Sequence, residues 1–254
     1  MIKVGVLVSG RGTNLQAIMD ACAEGWVGAE VAVVISNNPD APALDRARAR
    51  NIPAVAIDHR RFPSREPFED AMLQVLRTHQ VDLVCQAGFM RILTGRFVSQ
   101  YRGRIMNIHP ALLPAFGGKG MYGEHVHHAV LESGARVSGC TIHFVNEAVD
   151  GGPIILQAVV PVLDDDTPDA LAARIVREEH RLYPLAIHLF AHGRLVVEGR
   201  RVRILGAPIP PFTAASGSDS ASVGATPGGA GASGGTAPGG GPGPVRAEGA
   251  DPSA

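Results

Sequence analysis

The chain has 254 residues, of which 45% are hydrophobic and 19% are charged, and its formal net charge is −1. A charge so close to zero predicts no general attraction to nucleic acid or to an anionic membrane surface. No apolar run approaches the roughly 20 residues that a membrane span requires. The three cysteines form no CxxC pair, which indicates buried thiols in a reducing compartment and no metal site. We therefore predict a soluble, cytoplasmic protein whose partners are small molecules.

Two segments of different composition divide the chain. Residues 213–254 consist almost entirely of Gly, Ala, Ser, Pro and Thr, without apolar periodicity, so they are predicted to form a disordered tail. Residues 1–212 have the length and composition of one α/β catalytic domain with a sizeable core.

The first predicted strand, residues 2–8, is a nearly continuous β-branched run that leads into a glycine-rich turn at residues 9–14 and then a helix. Free amide N–H groups and the helix dipole make such a turn an anion site. Gly12, Thr13 and Asn14 are therefore candidate ligands of a phosphate. An ordinary tight turn, with Thr13 or Asn14 capping the helix, has the same pattern.

The turn also distinguishes between phosphate ligands. A dinucleotide fold needs a third glycine in the turn and a carboxylate at the end of the second strand. Here that glycine is absent, and the second predicted strand, residues 31–35, ends in Ser-Asn-Asn-Pro. A single phosphate fits this turn better than a pyrophosphate, which disfavours a nucleotide-dependent oxidoreductase.

Helices and strands then alternate along the chain. Helices are predicted at residues 41–50 and 64–79, and strands at residues 54–57 and 82–86. Repeated βα units with short connections predict a doubly wound parallel sheet, in which ligands bind beyond the carboxyl ends of the strands. The apolar segment 87–93 that follows lines either the core or a flat apolar ligand.

The next strand carries a polar pair near its carboxyl end. Asn107 and His109 alternate with apolar residues, so both side chains point to one face, and Pro110 ends the strand. An amide N–H can stabilise an oxygen that gains charge, and a histidine can move a proton near neutral pH. A satisfied polar pair in a strand-to-loop turn would have the same sequence.

The second half of the chain contains a predicted hairpin. Four glycines in residues 117–123 indicate a mobile flap or a long loop, and a helix follows at residues 124–132. Strands at residues 136–146 and 154–160 are joined by a turn with Gly-Gly, so the sheet is predicted to be mixed. Asp150 lies in that turn, where it either caps its own loop or faces the His109 imidazole and favours its protonated form.

The last helix is predicted from its ends, because Thr167 can cap it, Pro168 suits its first position and Gly193 can end it. Glu179 falls within its apolar stripe. Such a carboxylate either reaches solvent or accepts bonds from a partner in a cleft. Two short strands, residues 195–198 and 202–205, are predicted to close the fold as an edge hairpin.

Several stretches carry a family resemblance: residues 9–14, 87–93, 107–114, 139–145 and 149–157, with Glu179-His180. Together they resemble the phosphoribosylglycinamide formyltransferases, folate-dependent enzymes of purine biosynthesis. The Asn-x-His-Pro stretch with a downstream Asp-x-Gly is shared by folate-linked formyltransferases, and the Ser-Gly-x-Gly-Thr-Asn turn narrows the match. The resemblance implies a Rossmann-like three-layer αβα fold with a mostly parallel, mixed sheet.

The resemblance also implies the reaction. The formyl group of the co-substrate 10-formyltetrahydrofolate would pass to the amine of 5-phosphoribosylglycinamide without a metal. Asn107 would polarise the formyl oxygen, and His109 would carry the proton with Asp150 keeping it protonated. A homodimer is compatible with this family.

The implied binding residues fall into two groups. Gly12, Thr13, Asn14 and Glu179 would bind phosphoribosylglycinamide. The folate pocket would contain Arg65, Met90, Arg91, Ile92, Leu93, Asn107, Asn146, Glu147, Ala148, Val149 and Asp150.

Three other functions stay open. A hydrolase would pass the same formyl group to water, but its relatives carry an extra N-terminal regulatory domain, whereas this chain begins at its first strand. A transfer-RNA formyltransferase would need a C-terminal nucleic-acid domain, and residues 213–254 are neither basic nor rich in core residues. A non-catalytic phosphosugar-binding protein would leave the pairing of His109 with Asp150 without a purpose.

Overall fold

A computed structural model describes residues 1–206, and the predicted tail at residues 213–254 lies outside them. Within the described part the strands are β1 (Ile2–Val8), β2 (Ala29–Ser36), β3 (Ala54–Ala56), β4 (Leu83–Gln86), β5 (Ile105–His109), β6 (Val137–Phe144), β7 (Ile154–Pro161), β8 (Leu195–Glu198) and β9 (Arg201–Ile204). The α-helices are α1 (Thr13–Ala23), α2 (Pro42–Arg48), α3 (Arg65–Thr78), α4 (Gly95–Gln100), α5 (Glu124–Glu132) and α6 (Pro168–Ala191).

The strands form a single sheet in the order β3-β2-β1-β4-β5-β6-β7-β9-β8. Strands β1 to β5 pair in parallel, whereas β6 is antiparallel to both β5 and β7. The predicted hairpin of β6 and β7 and the closing hairpin of β8 and β9 are both present. The prediction of a mostly parallel, mixed sheet is therefore confirmed.

Helices cover both faces of the sheet because its central strands are apolar on both sides. In β1, Val4 and Val6 pack into a cluster with residues of α1 and α6, including Leu15 and Leu182. Leu7 points to the opposite face, into a cluster with residues of α3 and α4. Alternation along an extended strand produces this division, and the result is a three-layer αβα domain.

A threonine caps the start of both α4 and α6, and the cap of α6 is the one predicted from the sequence. The hydroxyl of Thr94 accepts a hydrogen bond from the amide of Phe97, and that of Thr167 accepts one from Ala170. Helix α3 begins at Arg65, one residue later than predicted, with Ser64 at the position before it; the Ser64 hydroxyl donates to the Glu66 carboxylate and does not accept from the helix amides. None of the helices in residues 1–206 has the length and hydropathy needed to cross a bilayer.

Candidate active site

Asn107 and His109 lie at the carboxyl end of β5, between β4 and the antiparallel strand β6. The register places Asn107 opposite His143 and His109 opposite Thr141. Because residues two apart on a strand share a face, these four polar side chains lie on the same side of the sheet. His109 is 3% exposed, so the candidate site is built into the domain interior.

His143 fixes the orientation of the Asn107 amide. Its Nδ1 lies 2.9 Å from the carbonyl oxygen of Phe144, which can only accept, so Nδ1 carries the hydrogen. Its Nε2 lies 3.2 Å from Nδ2 of Asn107 and is therefore the acceptor. Burial lowers the pKa of His143, which keeps the ring neutral and able to accept. One N–H of Asn107 is used in this bond, and a second remains for a ligand.

The Asp150 carboxylate faces both imidazoles. Its Oδ2 lies 3.6 Å from Nδ1 of His109, and its Oδ1 lies 3.7 Å from Nε2 of His143. The backbone amide of Gly118 donates to Oδ2 at 2.9 Å. Asp150 has a positive φ of 52°, a left-handed conformation that aspartate tolerates better than most residues. The carboxylate therefore lies beside His109 and accepts from the glycine-rich loop, but it receives no hydrogen from His143, whose Nε2 is the acceptor of the Asn107 bond.

The second nitrogen of His109 is held by the chain that leads into the glycine-rich loop. Its Nε2 lies 2.8 Å from the carbonyl oxygen of Phe116, so Nε2 carries a hydrogen and donates it. His109 thus has Asp150 on its Nδ1 side and the loop on its Nε2 side. A shift of this loop changes which groups can exchange a proton with His109.

Two further polar residues, Thr141 and Gln157, anchor the segment after β5. The Thr141 hydroxyl donates to the carbonyl of Ala111 at 2.7 Å and accepts from the amide of Leu113 at 3.0 Å. The Gln157 side-chain amide donates to Leu113 and to Thr141, at 3.0 Å each. Sequence reasoning missed Thr141, Gln157 and His143 as parts of the site. The polar alternation of residues 141 and 143 along a predicted strand was the available signal.

The glycine-rich turn leads directly into α1. Gly12 occupies the position before the helix with φ 72°, and no side chain caps this end. The alternative in which Thr13 or Asn14 caps the helix is therefore not observed, and Nδ2 of Asn14 donates instead to Oε2 of Glu179 at 2.8 Å. The uncapped amides at this end keep the features of an anion site.

The Glu179 side chain does not reach solvent; it accepts a hydrogen bond from Asn14 inside the fold. Its side chain is buried, and this burial raises the pKa of its carboxyl above the usual value. The hydrogen bond from Asn14 offsets part of that rise. Oδ1 of Asn14 is also buried, without a hydrogen-bond partner among the described residues. The pair is therefore a polar group inside the fold that has unused hydrogen-bonding capacity.

Helix α6 connects this pair to the sheet. One turn after Glu179, the hydroxyl of Tyr183 lies 2.9 Å from the carbonyl of Gln86 and 3.0 Å from that of Met106. These carbonyls belong to β4 and β5, and Met106 immediately precedes Asn107. A single helix thus contacts the start of α1 and the strand end that carries the candidate catalytic pair.

Residues 2–187 match the family model described as Formyl transferase. The chain belongs to the formyl transferase family. The phosphoribosylglycinamide formyltransferase of Escherichia coli is 42% identical over 210 residues, which cover 83% of this chain and 97% of that protein. Among similar crystal structures is that of glycinamide ribonucleotide transformylase 1 from Symbiobacterium toebii, which is 54% identical in sequence and superposes on this chain with a TM-score of 0.78. The aligned part covers 81% of this chain and 95% of that one. The resemblance predicted from the motifs is confirmed.

Longer relatives contain this formyl transferase domain as one part. The trifunctional purine biosynthetic protein adenosine-3 of Gallus gallus is 45% identical over 196 residues, which cover 77% of this chain. The chain spans 19% of the length of that protein. The likeness therefore concerns a single domain of the longer relative.

The residues predicted for the folate pocket of this formyl transferase do not all share one environment. Met90, Ile92 and Val149 are large apolar side chains that are 55%, 49% and 41% exposed. Leu93 is buried in the core between the sheet and α3, and its place in the folate pocket stays a prediction. The sequence does not distinguish an apolar residue on the surface after a strand end from one in the core, because the difference depends on packing between distant segments.

Two of the polar residues predicted for that pocket, Asn146 and Glu147, have partners within the protein. Glu147 forms an ion pair with Arg102 at 2.6 Å, and the amide of Ala148 donates to the Asn146 side chain. Arg65 is exposed in the first turn of α3, and Arg91 is half-buried in the segment after β4. These four positions stay predictions as ligand contacts.

The turn of this formyl transferase domain requires glycine at position 12. A Cβ there would lie 2.6 Å from Cβ of Ala43, and the positive φ adds strain for any other residue. We expect Gly12→Ala to lower the free energy of unfolding by about 2 to 4 kcal/mol, measured by urea denaturation. Gly10→Ala is the matched control, since its added Cβ would meet nothing within 4 Å. Equal stability of the two variants would contradict the tight turn.

Proposed function

We propose that the chain transfers the formyl group of 10-formyltetrahydrofolate to the amine of 5-phosphoribosylglycinamide. The observation that carries the proposal is the convergence of the Asn107 amide, the His109 imidazole and the Asp150 carboxylate at the end of β5. These groups suit acyl transfer by direct attack, without a covalent enzyme intermediate. The names of two bacterial relatives, both phosphoribosylglycinamide formyltransferases, support phosphoribosylglycinamide as the formyl acceptor.

The role of Asn107 follows from its fixed amide. When the substrate amine attacks the formyl carbon, the carbonyl oxygen gains negative charge, and a positioned N–H donor stabilises that charge. His143 holds one N–H of Asn107, which leaves the other for the developing oxyanion. A preorganised donor needs no reorientation during the reaction.

His109 and Asp150 would move the proton. The new bond joins the amine nitrogen to the formyl carbon, and the bond from that carbon to N10 of the folate breaks. The attacking amine loses one proton and N10 gains one, so no water is consumed. His109 can carry this proton, and the Asp150 carboxylate, 3.6 Å from its Nδ1, balances the charge of the protonated ring.

The two ends of the site would bind the two substrates. The amides at the start of α1, with Gly12 and Thr13, suit the phosphate of phosphoribosylglycinamide, and the polar pair of Asn14 and Glu179 suits its ribose or glycinamide. On the other side, the exposed apolar side chains of the 87–93 segment and of Val149 would cover the flat ring of the folate.

The test of the function is whether turnover depends on the amine. We expect purified protein to form tetrahydrofolate from 10-formyltetrahydrofolate only when phosphoribosylglycinamide is present, with one formylated product per folate released. The same assay with the Asp150→Asn variant measures the background. Equal folate release without the amine would replace this proposal by a hydrolase that passes the formyl group to water.

A further inference from the structure

Two histidines lie one helical turn apart at the carboxyl end of α6. His188 belongs to the last turn and His192 is the residue that follows the helix. Residues four apart on a helix are neighbours on one face. Their ring centroids are 4.2 Å apart, with the planes tilted by 38°. The pair is outside the site described above.

Hydrogen bonds fix the same tautomer in both rings. Nδ1 of His188 lies 2.9 Å from the carbonyl oxygen of Trp26, and Nδ1 of His192 lies 2.8 Å from that of His188. A carbonyl oxygen can only accept, so Nδ1 carries the hydrogen in both neutral rings, and the lone pair lies on Nε2. Metal-binding histidines are commonly oriented in this way, with the other nitrogen donating to a backbone carbonyl.

The surroundings of the pair favour a cation. The carboxyl end of a helix carries partial negative charge, and a 24-residue helix ends at this place. His192 is exposed and His188 is half-buried, so water and ions reach them. Gly28 leaves room for the His192 ring, since a Cβ at position 28 would lie 2.7 Å from Cε1 of that ring.

We propose that His188 and His192 bind one divalent transition-metal ion through their Nε2 atoms. Imidazole nitrogen suits copper, nickel and zinc, whereas magnesium and calcium prefer oxygen ligands. Residues 1–206 contain no group of three or more side chains arranged to hold a metal. The ion would therefore have two protein ligands, and water would complete its coordination. Affinity should follow the order in which Cu²⁺ binds more tightly than Ni²⁺ or Zn²⁺.

Trp26 provides the probe for this site. It is the only tryptophan of the chain, and its ring centroid lies 5.7 Å from that of His188. Titration of the full chain with CuCl₂ or NiCl₂ should quench its fluorescence saturably, with one ion per chain. MgCl₂ should leave the fluorescence unchanged. Calorimetry with the same salts measures the stoichiometry independently of Trp26.

Substitution of each histidine tests whether these two side chains bind the metal ion. His188→Gln and His192→Gln should each weaken Ni²⁺ binding at least about tenfold, whereas His125→Gln, at an exposed histidine of α5, should leave it unchanged. Circular dichroism of each variant verifies its folding, and the exposed position of His192 makes its variant the less disruptive one. Binding that survives in both variants, or is absent in the original chain, would overturn the proposal.

Discussion

Replacing Asp150 by asparagine is expected to lower kcat for formyl transfer by about 10² to 10⁴-fold. The variant removes the negative charge 3.6 Å from Nδ1 of His109, so the protonated imidazole loses its neighbouring carboxylate. The loss should appear mainly in kcat, because in the proposed mechanism Asp150 acts on the proton transfer and the α1 turn binds the phosphate. Initial rates over a range of both substrates separate kcat from KM.

Asparagine is the informative replacement at this position. It tolerates the positive φ of 52°, and its side-chain oxygen can still accept from the Gly118 amide. The change therefore removes charge while it keeps the shape. Asp164→Asn is the matched control, since Asp164 is an exposed carboxylate paired with Arg136. An Asp150→Asn variant with the full rate would remove Asp150 from the proposed mechanism.

Asn107→Ala is expected to lower kcat by about 10² to 10³-fold, which corresponds to a loss of about 2.7 to 4 kcal/mol of transition-state stabilisation. The variant removes the donor proposed for the formyl oxygen. It also leaves Nε2 of the buried His143 without its donor, which should cost about 1 to 3 kcal/mol of folding stability. Steady-state kinetics and urea denaturation measure the two effects separately.

A second variant distinguishes the catalytic effect from the structural one. His143→Phe removes the partner of Asn107 but keeps its amide, so it should retain more activity than Asn107→Ala at equal folded fraction. If the two variants lose the same activity in proportion to their loss of stability, Asn107 is a structural residue. A near-normal kcat in Asn107→Ala would exclude the oxyanion role altogether.

The pattern of apolar residues predicted most of the fold. Strands β1, β4 and β5 are short apolar runs between turn residues, and the ends of α6 carry their own signals in Thr167, Pro168 and Gly193. The residues within each of these elements determine where it begins and ends, so the order of the βα units could be predicted from the sequence. The pairing of Asn107 with His109 followed from strand alternation alone.

Contacts between segments far apart in the chain could not be predicted from the sequence in this way. The bond from Asn14 to Glu179, that from His109 to the Phe116 carbonyl and the core position of Leu93 all depend on how elements pack. The sequence is compatible with either a buried or a solvent-exposed side chain at Glu179 and at Leu93. In the folded chain both side chains are buried. The alternation of Thr141 and His143 along their strand indicates a polar face, but it does not show that this face pairs with Asn107, because that depends on the register between β5 and β6.

The contact between Asn14 and Glu179 has a consequence for the synthesis of the protein. It joins residues 165 positions apart, so this buried polar pair cannot form while the ribosome still holds the last helix. A nascent chain that lacks α6 also lacks the Tyr183 contacts to the ends of β4 and β5. A substrate that binds at this pair, as proposed, would bind only chains in which α6 has docked, and by mass action it would favour these over partly folded ones.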